Sequence, residues 1–348
     1  MKKITLLIWI LILMLINFLW AEKGVRFEQV SPDQIAVYVN GTHFTTWNFG
    51  EELNGVYLNK PVLWPVLTSK GTPITRDYPF RTDRIKERHD HPHHQGIFFT
   101  YGLLKYGEED SINVWGISKP GELPGGFGKS AGRIICRENV EIQDGIESGV
   151  IHALCDWFSH AANKTFLKED RTMIFGTGRN YRYIDFILRF KTLDQPVTWI
   201  DTKEGMFAIR VTPALQEKRG KNLASQNSRI SPGNARYLNA NGEELEQGVW
   251  GKRSPWVALR GILQTGEPLT IVIMDHVDNI NHPTFWHARG YGLFSVNPFG
   301  MWDFTRKKHR FDFTLPVGGM LTLKYRMLFY EGELQKNVIE NLYQDYVQ

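Results

Sequence analysis

Cysteine is scarce in this chain of 348 residues: Cys136 and Cys155 are the only two. That count excludes a four-cysteine zinc site and a scaffold held by several disulfides. Both fall in stretches that read as neighbouring strands, and either one disulfide or two buried thiols satisfies the composition. Charge of one sign is also lacking. The 41 Lys and Arg face 37 Asp and Glu, a net +4 that falls by two once Lys2 and Lys3 are set aside. So even a balance argues against nucleic acid as a partner. Long apolar runs are confined to the start, where two lysines precede residues 4–16, apolar but for Thr5, and a small-residue end at Ala21. This is the form of a secretory signal peptide, residues 1–21, and sends the remainder to the periplasm or the cell exterior. An uncleaved signal anchor fits the same run, which extends to Trp20. Beyond it no stretch has the about 20 apolar residues of a membrane-spanning helix. The chain also has no Gly-rich phosphate loop and no G-x-S-x-G elbow, which leaves nucleotide cofactors and serine hydrolysis without support, and no pair of facing carboxylates evident by sequence, which ranks classical glycoside hydrolysis third among the enzymatic readings.

What is present is alternation. Ile184, Phe186, Leu188 and Phe190 interleave with Tyr183, Asp185, Ile187, Arg189 and Lys191, and Leu321, Leu323, Tyr325, Met327 and Phe329 form one face of a later run. A period of two is the mark of a half-buried strand. Residues 133–143, 150–158, 256–263 and 268–276 read the same way, separated by Gly and Asn turns. Helical spacing emerges only at the end, in Leu334, Val338, Ile339 and Leu342. With no Pro/Ser/Gly-rich linker and no repeat, residues 22–348 are expected to form a single all-β domain, a large antiparallel sandwich with a C-terminal helix.

The histidines are unevenly spent. His89-Asp90-His91-Pro92-His93-His94 holds four of the chain's 11, and His276, His282 and His287 lie close together beside Asp275, Trp286 and Arg289. Imidazoles titrate nearest neutrality, so packing them together needs something to share or remove their protons. His89, His91, His94, His282 and His287 are therefore candidate acid–base groups, as is Glu204, which follows Lys203 at a strand end. Arg88, Arg253 and Arg289 are candidate clamps for a substrate carboxylate or sulfate, a bidentate match for guanidinium. Asp275 is a further binding candidate. Among Trp115, Trp250, Trp256, Trp286 and Trp302, Trp286 is the preferred sugar-stacking ring because His287 and Arg289 flank it. A divalent metal on His91, His93 and His94 is a second reading, and no organic cofactor is expected. The plainer alternatives stand beside each: loop-buttressing histidines, surface arginines, core tryptophans and a salt-bridged turn at residues 201–205.

The segments DHPHHQG (90–96), DTKEGMFAIRV (201–211), GVWGKRSPWV (248–257) and DHVDNINHPTFWHARGYGLFSVNPFG (275–300) together resemble the PmoA-like family, also classed as a domain of unknown function of the 6807 type. The resemblance spans roughly residues 35–330, and the last segment is the most specific. It implies a secreted bacterial β-rich protein whose relatives tend to sit among carbohydrate-degrading functions, with a sheet arrangement similar to the galactose-mutarotase supersandwich. NHPTFW also looks like the His-bearing strand end of aldose mutarotases. The implied ligand is a small-molecule sugar or an oligosaccharide. His base, Arg clamp and Glu or His acid suit proton abstraction beside a carboxyl group, as in a lyase or dehydratase, or ring opening at an anomeric carbon, as in a mutarotase or epimerase. The competing class is a non-catalytic glycan-binding or structural sandwich. Oligomeric state is not readable from the sequence.

Overall fold

The computed structural model describes residues 23–84, 87–107, 110–122, 128–137, 139–217 and 233–348. The expected signal peptide lies outside the described residues. Two large sheets carry most of the regular structure, as the alternating sequence requires. The first has eight strands in the order β1 (Val25–Ser31), β2 (Gln34–Val39), β3 (Thr42–Asn48), β6 (Val62–Val66), β7 (Ile97–Tyr101), β16 (Gly205–Arg210), β21 (Leu293–Asn297) and β20 (Phe285–Ala288). The second runs β17 (Arg236–Asn239), β18 (Trp256–Ile262), β19 (Pro268–Asp275), β23 (Met320–Tyr330), β14 (Tyr181–Thr192), β13 (Lys164–Gly178), β12 (Ser148–Ser159), β10 (Ser130–Cys136), β9 (Asp110–Asn113), β8 (Leu104–Tyr106), β15 (Val197–Trp199) and β22 (Phe313–Leu315), with β11 (Glu141–Gln143) added against β12. A small hairpin, β4 (Glu52–Leu53) and β5 (Val56–Tyr57), and three helices, α1 (Leu245–Val249), α2 (Met301–Phe304) and α3 (Lys336–Val347), complete the described elements discussed below. Pairing is antiparallel except between β9 and β10.

The inner faces of the sheets meet through aromatic rings. Phe207 of β16 lies 4.7 Å from Phe186 and 5.3 Å from Tyr325, Phe99 of β7 lies 5.6 Å from Phe190, and Phe44 of β3 lies 5.6 Å from Phe329, all between ring centroids. The alternating residues singled out on β14 and β23 are these core-facing ones, so period-two burial drives the layering. The other face of β18, β19 and β23 is covered by α3 through Ile339 and Tyr343, which pack with Trp256, Met274 and Leu328. Helical spacing named the helix and most of its packed face: Ile339 and Leu342 lie against the sheet, Leu334 packs there just ahead of the helix, and Val338 is exposed. The run 133–143 is also not one strand, since β10 ends at Cys136 and β11 begins at Glu141. Cys136 and Cys155 sit opposite each other on β10 and β12 and are joined as a disulfide.

A buried charge pair sits within this core. Glu169 and Arg171 both point inward from β13, with Arg171 Nε donating to Glu169 Oε1 at 2.5 Å and Trp157 Nε1 donating to Oε2 at 2.6 Å. Removing one member strands the other charge away from water, whereas removing both does not. Arg171→Met is therefore expected to cost about 3–5 kcal/mol in urea unfolding, and Glu169→Gln/Arg171→Met to recover most of that loss, since the new side-chain amide oxygen still accepts from Trp157.

Candidate active site

The first sheet alternates inward and outward residues, and its outward set includes Val62, Phe98, Ala208 and Leu293. The register extends that set into polar positions. His287 stands opposite Ser295, Ser295 opposite Ala208, Ala208 opposite Phe98 and Phe98 opposite Val62. One row over, the Arg289 amide donates to the Leu293 carbonyl, Leu293 pairs with Arg210, and the Arg210 amide donates to the Gly96 carbonyl. Period two thus puts His287, Arg289 and Arg210 on one outer face, beside the loop that carries His91, His93 and His94.

That loop is held from beneath by Arg76, whose side chain is fully buried. Its Nη1 donates to the carbonyls of Arg88 (3.3 Å) and Asp90 (2.8 Å) and to Asp90 Oδ1 (2.9 Å), and its Nη2 to the carbonyls of His91 (2.9 Å) and His94 (3.2 Å). Arg210 Nη2 donates to the same Asp90 oxygen at 2.9 Å, and Arg88 Nε lies 3.2 Å from Asp90 Oδ2. Burial alone would push the Asp90 carboxyl up; the His91 hydrogen bond and the charges of Arg210, Arg76 and Arg88 hold it well below the usual carboxylate range.

Tyr291, at the turn between β20 and β21, joins the two histidine segments. His91 stacks on it at 5.2 Å and 9°, His91 stacks on His94 at 4.9 Å and 5°, and His94 stacks on Phe98 at 6.2 Å and 12°. The Arg210 guanidinium sits 4.6 Å over the Tyr291 ring, and that of Arg289 sits 5.6 Å from the same ring and 6.0 Å from Trp250. His287 packs against Phe304 at 6.1 Å, and its buried Nδ1 has no hydrogen-bond partner. Lys60 completes the face. Fully buried over Phe98, it donates to Asn59 Oδ1 (3.1 Å) and the Trp115 carbonyl (3.3 Å).

Burial and crowded cations fix the proton states. Burial lowers Lys60 to about 7. His93 falls to about 3 through burial, Lys60 and His91; His287 falls to about 3 through burial, Arg289 and Lys203; His94 falls well below its usual value through burial, His93 and Arg210. These imidazoles are neutral at neutral pH. His94 Nδ1 lies 3.3 Å from Arg210 Nη1, so it accepts there and carries its hydrogen on Nε2.

The expected site residues divide. His91, His94, His287, Arg88 and Arg289 share the face, and Glu204, bonded to Lys203 Nζ at 2.5 Å, lies near enough to add to burial in raising the pKa of Tyr291. His89 stacks on Tyr78 at 4.6 Å, outside the ring stack that Tyr291 organises. Trp286 is corrected outright: as an inward residue of β20 it belongs to the core, fully buried, with its Nε1 on the Ser254 carbonyl, and is no sugar platform. Arg253 braces a loop through the carbonyls of Pro283 and Asn281. His282 and Asp275 pair at 2.7 Å under that loop, where Asp275, at the end of β19, also accepts from Asn279 and the Thr284 amide. Both serve structure. The metal trio His91, His93 and His94 fails on geometry, because an ion must lie near the plane of each ligating ring and two stacked, nearly parallel rings share no such point. Among the described residues no group of three His, Cys, Asp or Glu is placed to hold a metal.

Lys60, Arg76, Arg210 and Tyr291 were not expected. Arg210 had a signal, as an arginine closing the apolar run MFAIRV, and Tyr291 lies between two glycines. Lys60 had none beyond being a lone cation among apolar neighbours.

The proton states carry a stability prediction. Unfolded histidines take protons below about pH 6.5, whereas His287 and His93 in the fold resist until about 3, so the unfolded state binds more protons in that window and stability falls as pH drops through it. Asp90, held low in the fold, adds loss at more acid pH. Urea unfolding at about pH 7.5 and about pH 5 measures the fall, and His287→Gln is expected to shrink it by as much as about 2 kcal/mol.

Comparison with known proteins gives distant matches. No curated protein matches the chain. Among solved structures it is similar to the GH36 α-galactosidase AgaB from Geobacillus stearothermophilus, with 10% identity, a TM-score of 0.40 and coverage of 89% of this chain and 41% of that one. It is also similar to an α-galactosidase from Lactobacillus brevis (9% identity, TM-score 0.37, coverage 88% and 40%) and to the polysaccharide lyase BACCELL_00875 (11% identity, TM-score 0.24, coverage 89% and 33%). The chain thus spans about two fifths of the α-galactosidases' length. Among the described residues no helix is long and apolar enough to cross a membrane. The model of the family of unknown function DUF6807 matches residues 34–344, nearly the whole sequence, and the chain belongs to that family.

Proposed function

We propose that this protein is a carbohydrate-active enzyme that moves a proton on an acidic sugar, in a lyase, dehydratase or epimerase reaction. The observation that carries the reading is the Tyr291 junction, where exposed His91, a phenol and the half-exposed Arg289 share a face with buried cations in excess of carboxylates. A substrate carboxylate is drawn to such a face, and Arg289 is the group able to clamp it. His91 has its Nδ1 3.4 Å from Asp90 Oδ2, which leaves Nε2 to take the proton beside the substrate carboxyl. Arg289 stabilises the negative charge that then builds on that carboxyl. Burial raises the Tyr291 pKa, so the phenol keeps its proton and can return one to the leaving oxygen or to the opposite face of the carbon.

Turnover on a panel of uronic oligosaccharides, followed by new ultraviolet absorbance, by mass loss of water and by epimer analysis, tests this. His91→Gln and Tyr291→Phe are each expected to lower kcat by about 10²–10⁴, and Arg289→Lys to raise KM for acidic sugars. Turnover that survives the first two substitutions removes the assignment. Binding across the panel with no turnover makes the protein a glycan-binding module instead.

Linkage supplies a second test. An anion held by Arg289 on this face adds negative charge beside buried Lys60, whose pKa burial has lowered to about 7, so that value rises and binding near neutral pH takes up protons. Galacturonate titrated calorimetrically in two buffers of different ionisation enthalpy should report net proton uptake near neutral pH. The affinity should fall as pH rises.

A further inference from the structure

Beside Arg289 the surface opens into a groove of ≈ 810 Å³, lined among others by Glu217, Glu246, Trp250, Arg289, Arg306 and Lys308. We propose that this groove is a second sugar subsite that binds an anionic unit, carboxylated or sulfated, of the same chain, so that the ligand is an oligosaccharide. The proposal rests on the reading above, because it extends the ligand from the Tyr291 junction.

Continuity is the first argument. Arg289 lies between the Tyr291 and Trp250 rings, and Phe304, another wall of the groove, touches His287. A ligand seated over Tyr291 therefore needs only one further ring to enter the groove. Charge is the second. Glu246 pairs with Arg289 at 3.0 Å, but neither Arg306 nor Lys308 has an ion-pair partner among the described residues. Both are exposed in the basic run Arg306-Lys307-Lys308-His309-Arg310. Arg306 and Lys307 hold left-handed backbone angles, φ 55° and 66°, which side chains other than glycine seldom adopt. The third argument selects sugar over a uniform polyanion. Glu217 and Glu246 face the same space and would repel a string of phosphates, whereas carboxylates accept from sugar hydroxyls and Trp250 offers an aromatic wall.

Calorimetry on the full chain tests the subsite with a galacturonate hexasaccharide, a sulfated neutral-backbone hexasaccharide, an unsulfated neutral hexasaccharide, galacturonate and a hexanucleotide. Arg306→Ala/Lys308→Ala should weaken one or both acidic hexasaccharides by about tenfold more than galacturonate, and which one responds tells carboxylate from sulfate. The pair Arg189→Ala/Lys191→Ala, exposed on β14, should leave them unchanged. Equal losses for monomer and hexamer, an equal effect of the control pair, tighter binding of the neutral hexasaccharide or preference for the hexanucleotide would each overturn the proposal. If His91→Gln abolishes turnover while hexasaccharide affinity ignores Arg306 and Lys308, catalysis stands and the subsite falls. If the groove binds as expected and no sugar is turned over, the subsite stands and the enzymatic reading falls.

Discussion

The Asp90 carboxylate takes charge from Arg76, Arg210 and Arg88 at once, the first two with side chains wholly out of water. Burying a guanidinium is costly unless its donors are met, and one carboxylate shared by three cations leaves positive charge in excess. The shortfall is made up by carbonyl dipoles. Arg76 draws four loop carbonyls onto itself, which wraps residues 88–94 around the guanidinium and dictates where each side chain of that loop emerges. The loop's shape is therefore an answer to a solvation problem. Gly96 is part of it: a Cβ there would stand 2.2 Å from the Leu63 carbonyl, at φ 58°.

The same excess of charge accounts for the density of histidine. Beside buried guanidiniums a lysine would worsen the repulsion, and another carboxylate would neutralise the face. A neutral imidazole does neither. It accepts a hydrogen bond, as His94 does from Arg210, it stacks flat on a neighbouring ring, and it keeps the option of a proton if the surrounding charge changes. His93, His94 and His287 are held neutral first by burial and then by the cations beside them.

The sandwich was legible because it depends on local period. Residues 184–190 and 321–329 alternate strictly and do face the core. The site was legible only where chemistry was concentrated in sequence. His91 and His287 stand out in their segments, and the two segments do share a face. What the sequence hid was register. Trp286 and His287 are neighbours in the chain, and one turns to the core while the other turns outward, so flanking by polar residues was no guide to where the tryptophan points. Arg253, Asp275 and His282 come from equally polar text but brace the loop before β20. Arg76 and Arg210 lie far from each other in the chain, yet the Arg76 amide donates to the Arg210 carbonyl and both guanidiniums converge on Asp90, contacts no local pattern encodes.

Position in the architecture then explains why the chemistry sits on this patch. The space between the sheets is filled by packed rings, and the outer face of β18, β19 and β23 is closed by α3. The outer face of the first sheet is partly closed as well, where Leu58, Trp64 and Phe80 cover the side of Val62 and Phe98. Toward β21 and β20 that cover turns polar and opens only at its rim. Here outward positions are His287, Ser295, Arg210 and Arg289, and the Tyr291 turn leans over them between two guanidiniums. One side of the ring cluster is thus anchored in apolar packing through Phe98 and Trp115, while the other opens to water through His91 and Arg289. Groups that must keep an unusual proton state need the first boundary, and groups that must meet a ligand need the second. This part of the sheet supplies both within about three strand spacings of some 5 Å each.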